Sequence, residues 1–210
     1  MKSFLMLITT LIILLSSPLY AQTEVSFFNF GLKAGVNYSN VYDTQGEKFI
    51  ASSKYGVVFG GFATILFGKF LGIQPEVLYS EKGFKSTGRV LGSDYEMTRN
   101  TDYVDVPLLL AIKPIPAVAI LVGPQFSFLV KEKNTFKTST TSVEQEKEFK
   151  NDNVRKNLLS LAGGVNINFG HFVLGARVGY DLQQNNGDGS SITPRYKNGW
   201  YQATLGFRFL

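Results

Sequence analysis

Hydrophobic and polar positions alternate along eight stretches of this chain, and a period of two belongs to a β-strand whose two faces differ chemically. The clearest stretch covers residues 30–38. One face of it carries Phe30, Leu32, Ala34, Val36 and Tyr38, and the other carries Gly31, Lys33, Gly35 and Asn37. A membrane β-barrel requires this pattern, because lipid contacts one face of each strand and the lumen contacts the other.

The alternation predicts strands joined by connectors of two lengths. The strands lie at about 28–38, 55–67, 70–82, 102–113, 118–130, 158–169, 172–183 and 199–210. The tight connectors are 68–69, 113–117 and 170–171, and the long ones are 39–54, 83–101, 131–157 and 184–198. This alternation is typical of the periplasmic and extracellular ends of bacterial barrels. The predicted fold is all-β, an eight-stranded antiparallel up-and-down transmembrane β-barrel with both termini periplasmic.

The segment 104–130 is apolar enough to suggest a membrane-spanning helix. Its prolines argue against a helix, since each removes a backbone donor and disrupts helical geometry. They are Pro107, Pro114, Pro116 and Pro124. We therefore predict a hairpin of two strands about a proline-rich turn.

Aromatic residues are predicted to form a band at each end of the strands. Near the short turns lie Phe30, Phe67, Phe70, Phe169, Phe172, Phe207 and Phe209, and near the long loops lie Tyr38, Tyr55, Tyr79, Tyr180, Trp200 and Tyr201. Such bands are typical of the girdles at the two membrane interfaces. The alternative is that strands simply favour aromatic residues.

Glycine dominates the polar faces, which distinguishes a membrane barrel from a soluble, lipocalin-like barrel with an apolar interior. Small residues suit a narrow interior that side chains must fill. The isolated charges on these faces are Lys33, Glu76, Asp105, Lys113, Arg177, Asp181 and Arg208. Each buried charge needs a partner, so we predict a network across the lumen, with Glu76 and Arg177 as its best-placed pair. A polar plug is favoured over a proton or ion path.

The N-terminus has the composition of an export signal. Lys2 precedes an apolar run at 4–15, and residues 19–21 form a plausible peptidase site. We predict a cleaved signal peptide at 1–21 and a barrel domain at 22–210. An uncleaved anchor is the alternative, although the run is shorter than the ~20 residues of a spanning helix. Outer-membrane localisation follows from the export signal and the strand pattern together.

Bulk composition excludes several classes of partner and cofactor. The chain has no cysteine, which excludes lipoprotein acylation, disulfides and thiolate metal sites. The net charge is +5, but the charges are spread over all the loops. No basic stripe interleaved with aromatic residues is present, so nucleic acid is not expected as a partner.

The chain resembles the PorT-type outer-membrane β-barrel family of Bacteroidota. The resemblance is carried by residues 30–37 (FGLKAGVN), 73–83 (IQPEVLYSEKG), 103–110 (YVDVPLLL) and 205–209 (LGFRF). It implies an eight-stranded outer-membrane barrel with no catalytic motif. The founding members are tied to type IX protein secretion and gliding, so the resemblance implies a secretion-machinery protein as one candidate partner. Leu210 departs from the aromatic residue that usually ends such barrels.

Candidate chemistry along the chain is sparse. His171 is the single histidine, and its place in a predicted periplasmic turn removes a histidine base from the outer rim. Residues 185–189 (NNGDG) resemble a calcium loop but lack its alternating carboxylates and distal Glu. We predict no catalytic residue, no metal site and no cofactor.

The loop 131–157 mixes many lysines with glutamates, and two interpretations of it stay open. It binds a protein partner or lipopolysaccharide, or it is a solvated extension of the flanking strands. The leading hypothesis is a non-enzymatic structural or partner-binding component of the envelope, set in outer-membrane lipid. The alternatives are a narrow channel for small solutes or ions and a surface enzyme. The enzyme would use loop carboxylates such as Asp94, Glu96 and Asp102.

Overall fold

The structure, a computed structural model, describes residues 27–43, 51–90, 93–138, 142–147, 157–185 and 196–209. The strands are β1 (Phe28–Asp43), β2 (Ala51–Leu66), β3 (Leu71–Val90), β4 (Ser93–Ile115), β5 (Val118–Thr138), β6 (Ser142–Lys147), β7 (Asn157–Phe169), β8 (Phe172–Asp181) and β9 (Tyr196–Arg208). Within these ranges no helix is long and apolar enough to cross a membrane. The predicted signal segment, 1–21, lies outside the described residues.

Eight of the strands close into an antiparallel barrel. Each pairs with the next along the chain from β1 to β5, then β5 pairs with β7, β7 with β8, β8 with β9, and β9 returns to β1. The short strand β6 pairs with β5 beyond the barrel wall. The predicted eight-stranded up-and-down topology is confirmed. The three tight connectors and the proline-rich hairpin, now β4 and β5, are confirmed as well.

The two faces of the strands point where the alternation predicts. Leu32, Val36 and Leu174 are about half exposed on the outside, whereas Gly31, Lys33 and Asn37 are buried in the interior. The turn between β7 and β8 is made tight by Gly170, whose φ of +57° is a left-handed conformation that glycine adopts without steric cost. An apolar exterior around a polar interior is the reverse of a soluble, lipocalin-like barrel.

The prediction that residues 83–101 form a loop is wrong. β3 continues to Val90 and pairs with β4 from Ser93 in continuous register. Strand structure also covers 39–43, 51–54, 131–138 and 142–147, which were predicted as loops. The outer ends of the strands are rich in charged residues, and the prediction treated charge as loop. Backbone pairing continues there regardless, because polar side chains can occupy both faces of a strand in water.

Candidate functional site

The middle of the lumen is occupied by three charged side chains at one level. Lys33, Glu76 and Arg177 each lie five residues from the turn end of their strand, which is Phe28, Leu71 and Phe172 respectively. Their side chains are nearly inaccessible to solvent. β3 and β8 lie on opposite sides of the closed ring of eight strands. A contact between Glu76 and Arg177 therefore spans the lumen.

Glu76 is the centre of this middle layer. Arg177 donates from Nη1 to Oε2 at 2.6 Å and from Nη2 to Oε1 at 2.5 Å, a bidentate ion pair. Lys33 donates to Oε2, and Gln74 Nε2 donates to Oε1 at 2.6 Å. Charge-assisted bidentate bonds are both strong and directional. One carboxylate thus holds two cations, and the middle layer carries a net positive charge.

The next layer toward the long loops has two carboxylates and one cation. Lys82 Nζ lies 3.0 Å from Asp105 Oδ2 and 4.0 Å from the centre of the Trp200 ring. Asp181 accepts hydrogen bonds from Ser160 Oγ at 2.6 Å and from Asn198 Nδ2 at 2.6 Å. These groups are all buried. Lys82 and Asp105 therefore compensate each other's charge, and Asp181 is held by hydrogen bonds from neutral groups.

A further ion pair lies in the interior nearer to the long loops. Arg99 Nη2 lies 2.8 Å from Glu132 Oε1, and both side chains are nearly buried. The Arg99 guanidinium lies 5.6 Å from the centre of the Tyr196 ring. Burial raises the pKa of Tyr196 to about 12, so this phenol is neutral at physiological pH. This end of the lumen thus holds a compensated ion pair beside a neutral ring.

The turn end of the lumen contains a small pocket that opens to solvent. Lys113 and Arg208 lie in its wall, and Arg208 Nη2 donates to the Gly170 carbonyl at 2.6 Å. Gln74, which lines the pocket, also bonds Glu76. The pocket therefore ends inward at the middle layer.

The structure divides the seven predicted lumen charges into separate groups. It brings Lys33, Glu76 and Arg177 together, but Asp105 and Asp181 lie in the next layer and Lys113 and Arg208 lie at the pocket. They do not form one continuous network. The sequence interpretation missed three buried charges, Lys82, Arg99 and Glu132. Lys82 has the same parity as Glu76 on β3, so the alternation would have found it.

The predicted aromatic bands lie on the outside, with one exception. Exposed or partly exposed positions are occupied by Phe30, Tyr38, Tyr55, Phe67, Phe70, Tyr79, Phe169, Phe172, Tyr180, Tyr201, Phe207 and Phe209. The assignment of Trp200 to the outer band is wrong, because this ring is 2 % exposed and lies inside. Consecutive residues of a strand face opposite sides, so Trp200 and Tyr201 cannot both face outward.

The two described carboxylates of the enzyme alternative, Asp102 and Glu96, are not brought together. Asp102 accepts a hydrogen bond from the Tyr79 hydroxyl at 2.7 Å, and Glu96 lies 3.9 Å from Lys85. Six residues of strand separate Asp102 from Glu96, roughly 20 Å at ~3.3 Å per residue. The side chain of Asp94 lies outside the described residues.

His171 lies where it was predicted, exposed in the tight turn between β7 and β8. Its Nδ1 is 2.9 Å from the Arg208 carbonyl oxygen, and its ring stacks on Phe207. Within the described ranges no cluster of three metal-ligating side chains is present. Of residues 185–189 only Asn185 is described, and Leu210 is not described either.

Comparison with known proteins identifies the family. The family model described as "Outer membrane protein beta-barrel domain" matches residues 20–185. The chain belongs to this family. It is therefore an outer-membrane β-barrel, and the lipid-facing surface is the apolar exterior. No curated protein matches the sequence.

Solved structures of outer-membrane proteins are similar to this chain at low sequence identity. One is Ail, the attachment invasion locus protein of Yersinia pestis, solved in complex with the heparin analogue sucrose octasulfate, at 15 % identity and a TM-score of 0.48. That match covers 88 % of this chain and 100 % of Ail. Another is Neisserial surface protein A, at 13 % identity and a TM-score of 0.49, covering 86 % of this chain and 97 % of that protein.

Proposed function

We propose that this outer-membrane barrel is a non-enzymatic envelope component that binds a protein partner through a sheet projecting outside the cell. The proposal rests on a boundary on the outer face of three neighbouring strands. At this boundary the exposed side chains change from apolar to charged. On β3, β4 and β5 the change occurs at Glu81, Asp102 and Lys131, which are neighbours in the strand register. All three strands continue well past this line.

The length of strand below that line matches a membrane. Ten residues of β3 separate the turn end from Glu81, and a tilted membrane strand needs about 9–11. The ends beyond the line, together with β6, form an extracellular sheet that we define as residues 82–90, 93–101, 132–138 and 142–147. This orientation places the tight turns and both termini in the periplasm, in line with a cleaved export signal at 1–21.

The finer family assignment is part of the proposal. The motifs at 73–83 and 103–110 favour a PorT-type barrel of Bacteroidota, and an accessory role in protein secretion is the most specific partner hypothesis that this resemblance offers. A shared barrel does not by itself transfer that role. The separation of Asp102 from Glu96 and the turn position of His171 favour a binding function over catalysis.

Photo-crosslinking in intact cells tests the partner hypothesis. We expect adducts from crosslinkers placed at Thr87 and Lys137, exposed side chains of the extracellular sheet that share Glu96 as their cross-strand neighbour. The matched control is Lys69, an exposed lysine in the turn between β2 and β3. Adducts that form from Lys69 and not from Thr87 or Lys137 would place the binding surface at the wrong end.

A narrow channel is the alternative function, and the polar interior is what favours it. The pair of Glu76 and Arg177 across the lumen supports a closed barrel instead, in agreement with the filled interior of most eight-stranded barrels. Planar-bilayer recording of the purified protein separates the two. We expect no stable unitary current, and such currents would establish the channel in place of the closed barrel.

A further inference from the structure

The pocket at the turn end of the lumen collects positive charge from opposite walls. It is lined by Asn29, Phe62, Thr64, Gln74, Ala111, Lys113, Ala119, Asn166, Asn168, Val173 and Arg208, so every one of the eight barrel strands contributes. β4, which carries Lys113, lies opposite β9, which carries Arg208, in the ring of strands. No carboxylate is among the lining side chains.

The charge of the lower lumen is unbalanced. In the described part of the chain, the middle layer and the pocket together carry four cations, Lys33, Lys113, Arg177 and Arg208, against the single carboxylate of Glu76. Glu76 is already engaged by Lys33 and Arg177. Unbalanced charge surrounded by a lipid-embedded wall is costly, and a bound anion would offset it.

The remaining lining groups suit an oxyanion. Gln74 and Asn166 are 3 % and 6 % exposed and line the pocket. A side-chain amide carries two N–H donors, and Gln74 uses one of its own on Glu76. Lysine and arginine with neutral amide donors form the chemistry that recognises phosphate and carboxylate oxygens. Apolar lining is limited to the methyls of Ala111 and Ala119 with Phe62 and Val173, so the pocket offers little to an apolar ligand.

We propose that this pocket is a periplasm-facing binding site for a small oxyanion, such as a phosphate group, held between Lys113 and Arg208. The site is separate from the extracellular sheet and does not depend on its partner. The phosphate could be free in the periplasm or belong to a phospholipid headgroup of the inner leaflet, because both present the same oxygens.

Thermal unfolding in a phosphate-free sugar detergent tests the site with inorganic phosphate as the probe. Trp200 is the single tryptophan and lies inside the barrel, so its fluorescence reports unfolding. We expect the unfolding midpoint to be higher in phosphate than in chloride at equal ionic strength. It should rise with the logarithm of the phosphate concentration, as ligand binding requires. Lys113→Gln should weaken the apparent affinity by about tenfold or more, since a charge-assisted bond is lost.

Lys69→Gln is the matched control, because it removes an exposed turn lysine near the same end. Phosphate also stabilises proteins generally by exclusion from their surface, and that effect would be equal in wild type and both variants. An equal rise of the unfolding midpoint in the wild type and both variants would overturn the proposed site. Folding of Lys113→Gln is checked by its heat-dependent gel mobility, and Arg208→Gln is the second variant if it fails to fold.

A second arm identifies the source of the phosphate. Short-chain phosphatidic acid is titrated against a fixed, half-saturating concentration of inorganic phosphate. A headgroup is supported as the ligand if phosphatidic acid raises the unfolding midpoint and its effect saturates at a lower concentration than that of inorganic phosphate. Lys113→Gln should then weaken the effect. Stabilisation by inorganic phosphate that phosphatidic acid leaves unchanged supports a free anion. Stabilisation by either compound that is insensitive to both Lys113→Gln and Arg208→Gln overturns the proposal.

Discussion

At the scale of single residues, Glu76 holds the interior of the barrel together. It accepts hydrogen bonds from Lys33, Gln74 and Arg177, which come from β1, β3 and β8. A buried ion pair costs desolvation energy for both partners, so its net contribution can be small. Removal of one partner is different, because the remaining charge stays buried without compensation. Loss of Glu76 should therefore destabilise the barrel by more than the net contribution of its ion pairs to stability.

Glu76→Gln is expected to lower the free energy of unfolding by about 3–5 kcal/mol, because the two buried cations Lys33 and Arg177 lose the carboxylate that pairs with them. Urea unfolding in lipid vesicles, followed by Trp200 fluorescence, measures the change. The matched control is Glu81→Gln, which breaks a partly exposed ion pair with Lys54 and should cost about 1 kcal/mol or less. Equal costs for the two variants would contradict a structural role for the middle layer.

Gly179 is a second residue on which packing of the interior depends. A Cβ atom at this position would lie 2.2 Å from Cζ2 of Trp200, on the neighbouring strand. Gly179→Ala should therefore destabilise the barrel by about 1–3 kcal/mol through overpacking. Gly163→Ala is the control, since its Cβ would meet nothing closer than 3.5 Å. Urea unfolding of both variants measures the two changes in stability. If Gly179→Ala costs as little as Gly163→Ala, the Trp200 ring moves freely.

At the scale of the strand, the alternation of faces was predictable and the strand ends were not. The pattern of β1 gave the correct face for Lys33 and for Leu32 because the side-chain period of two does not depend on neighbouring strands. The outer ends of β3 and β4 are polar on both faces, so their sequence lacks the alternation that marks a strand in lipid. Their pairing depends on contacts between strands, which a single sequence does not show.

The same limit explains the buried charges that the sequence interpretation missed. Arg99 and Glu132 form an ion pair between β4 and β5, but both fell in segments predicted as loops. A register shift between Asp102 and Tyr103 in the pairing with β5 also changes which side chains face inward above it. A bulge of this kind turns the side chains beyond it to the other face. The alternation of faces therefore cannot be counted across it.

Leu108→Lys tests the lipid-facing surface of the strands directly. Leu108 is 48 % exposed on β4 and pairs with Pro75, the residue before Glu76, so it lies about midway between the turn end of β3 and the line at Glu81. A lysine near the centre of the bilayer should cost about 2–4 kcal/mol of folding free energy in lipid vesicles. Thr87→Lys, on the exposed extracellular part of β3, should have almost no effect. Similar effects at the two positions would contradict the proposed membrane boundary.

At the scale of the whole molecule, the barrel has two parts with different physical requirements. The part between the tight turns and the line at Glu81, Asp102 and Lys131 is held by lipid outside and by buried charges inside, and its charge is net positive at the turn end. At its base the extracellular sheet shares the interior of the barrel, where Lys82, Arg99 and Glu132 form buried ion pairs. Farther out, the ion pair of Lys85 with Glu96 is exposed, and such pairs contribute little. The proposed binding surface can therefore vary beyond Arg99 with little cost to the barrel.

A variant with a shortened hairpin of β3 and β4 tests whether these two parts are independent. Lys85 and Thr98 are partners in the register of β3 and β4, so replacing residues 86–97 by Asn-Gly joins them through a two-residue turn suited to antiparallel strands. The unfolding free energy should change by less than about 1 kcal/mol, because Arg99 and Glu132 remain and the removed ion pair is exposed. Crosslinking from Lys137 should be lost while the stabilisation by phosphate persists. A loss of several kcal/mol would show instead that the extracellular sheet holds the barrel together.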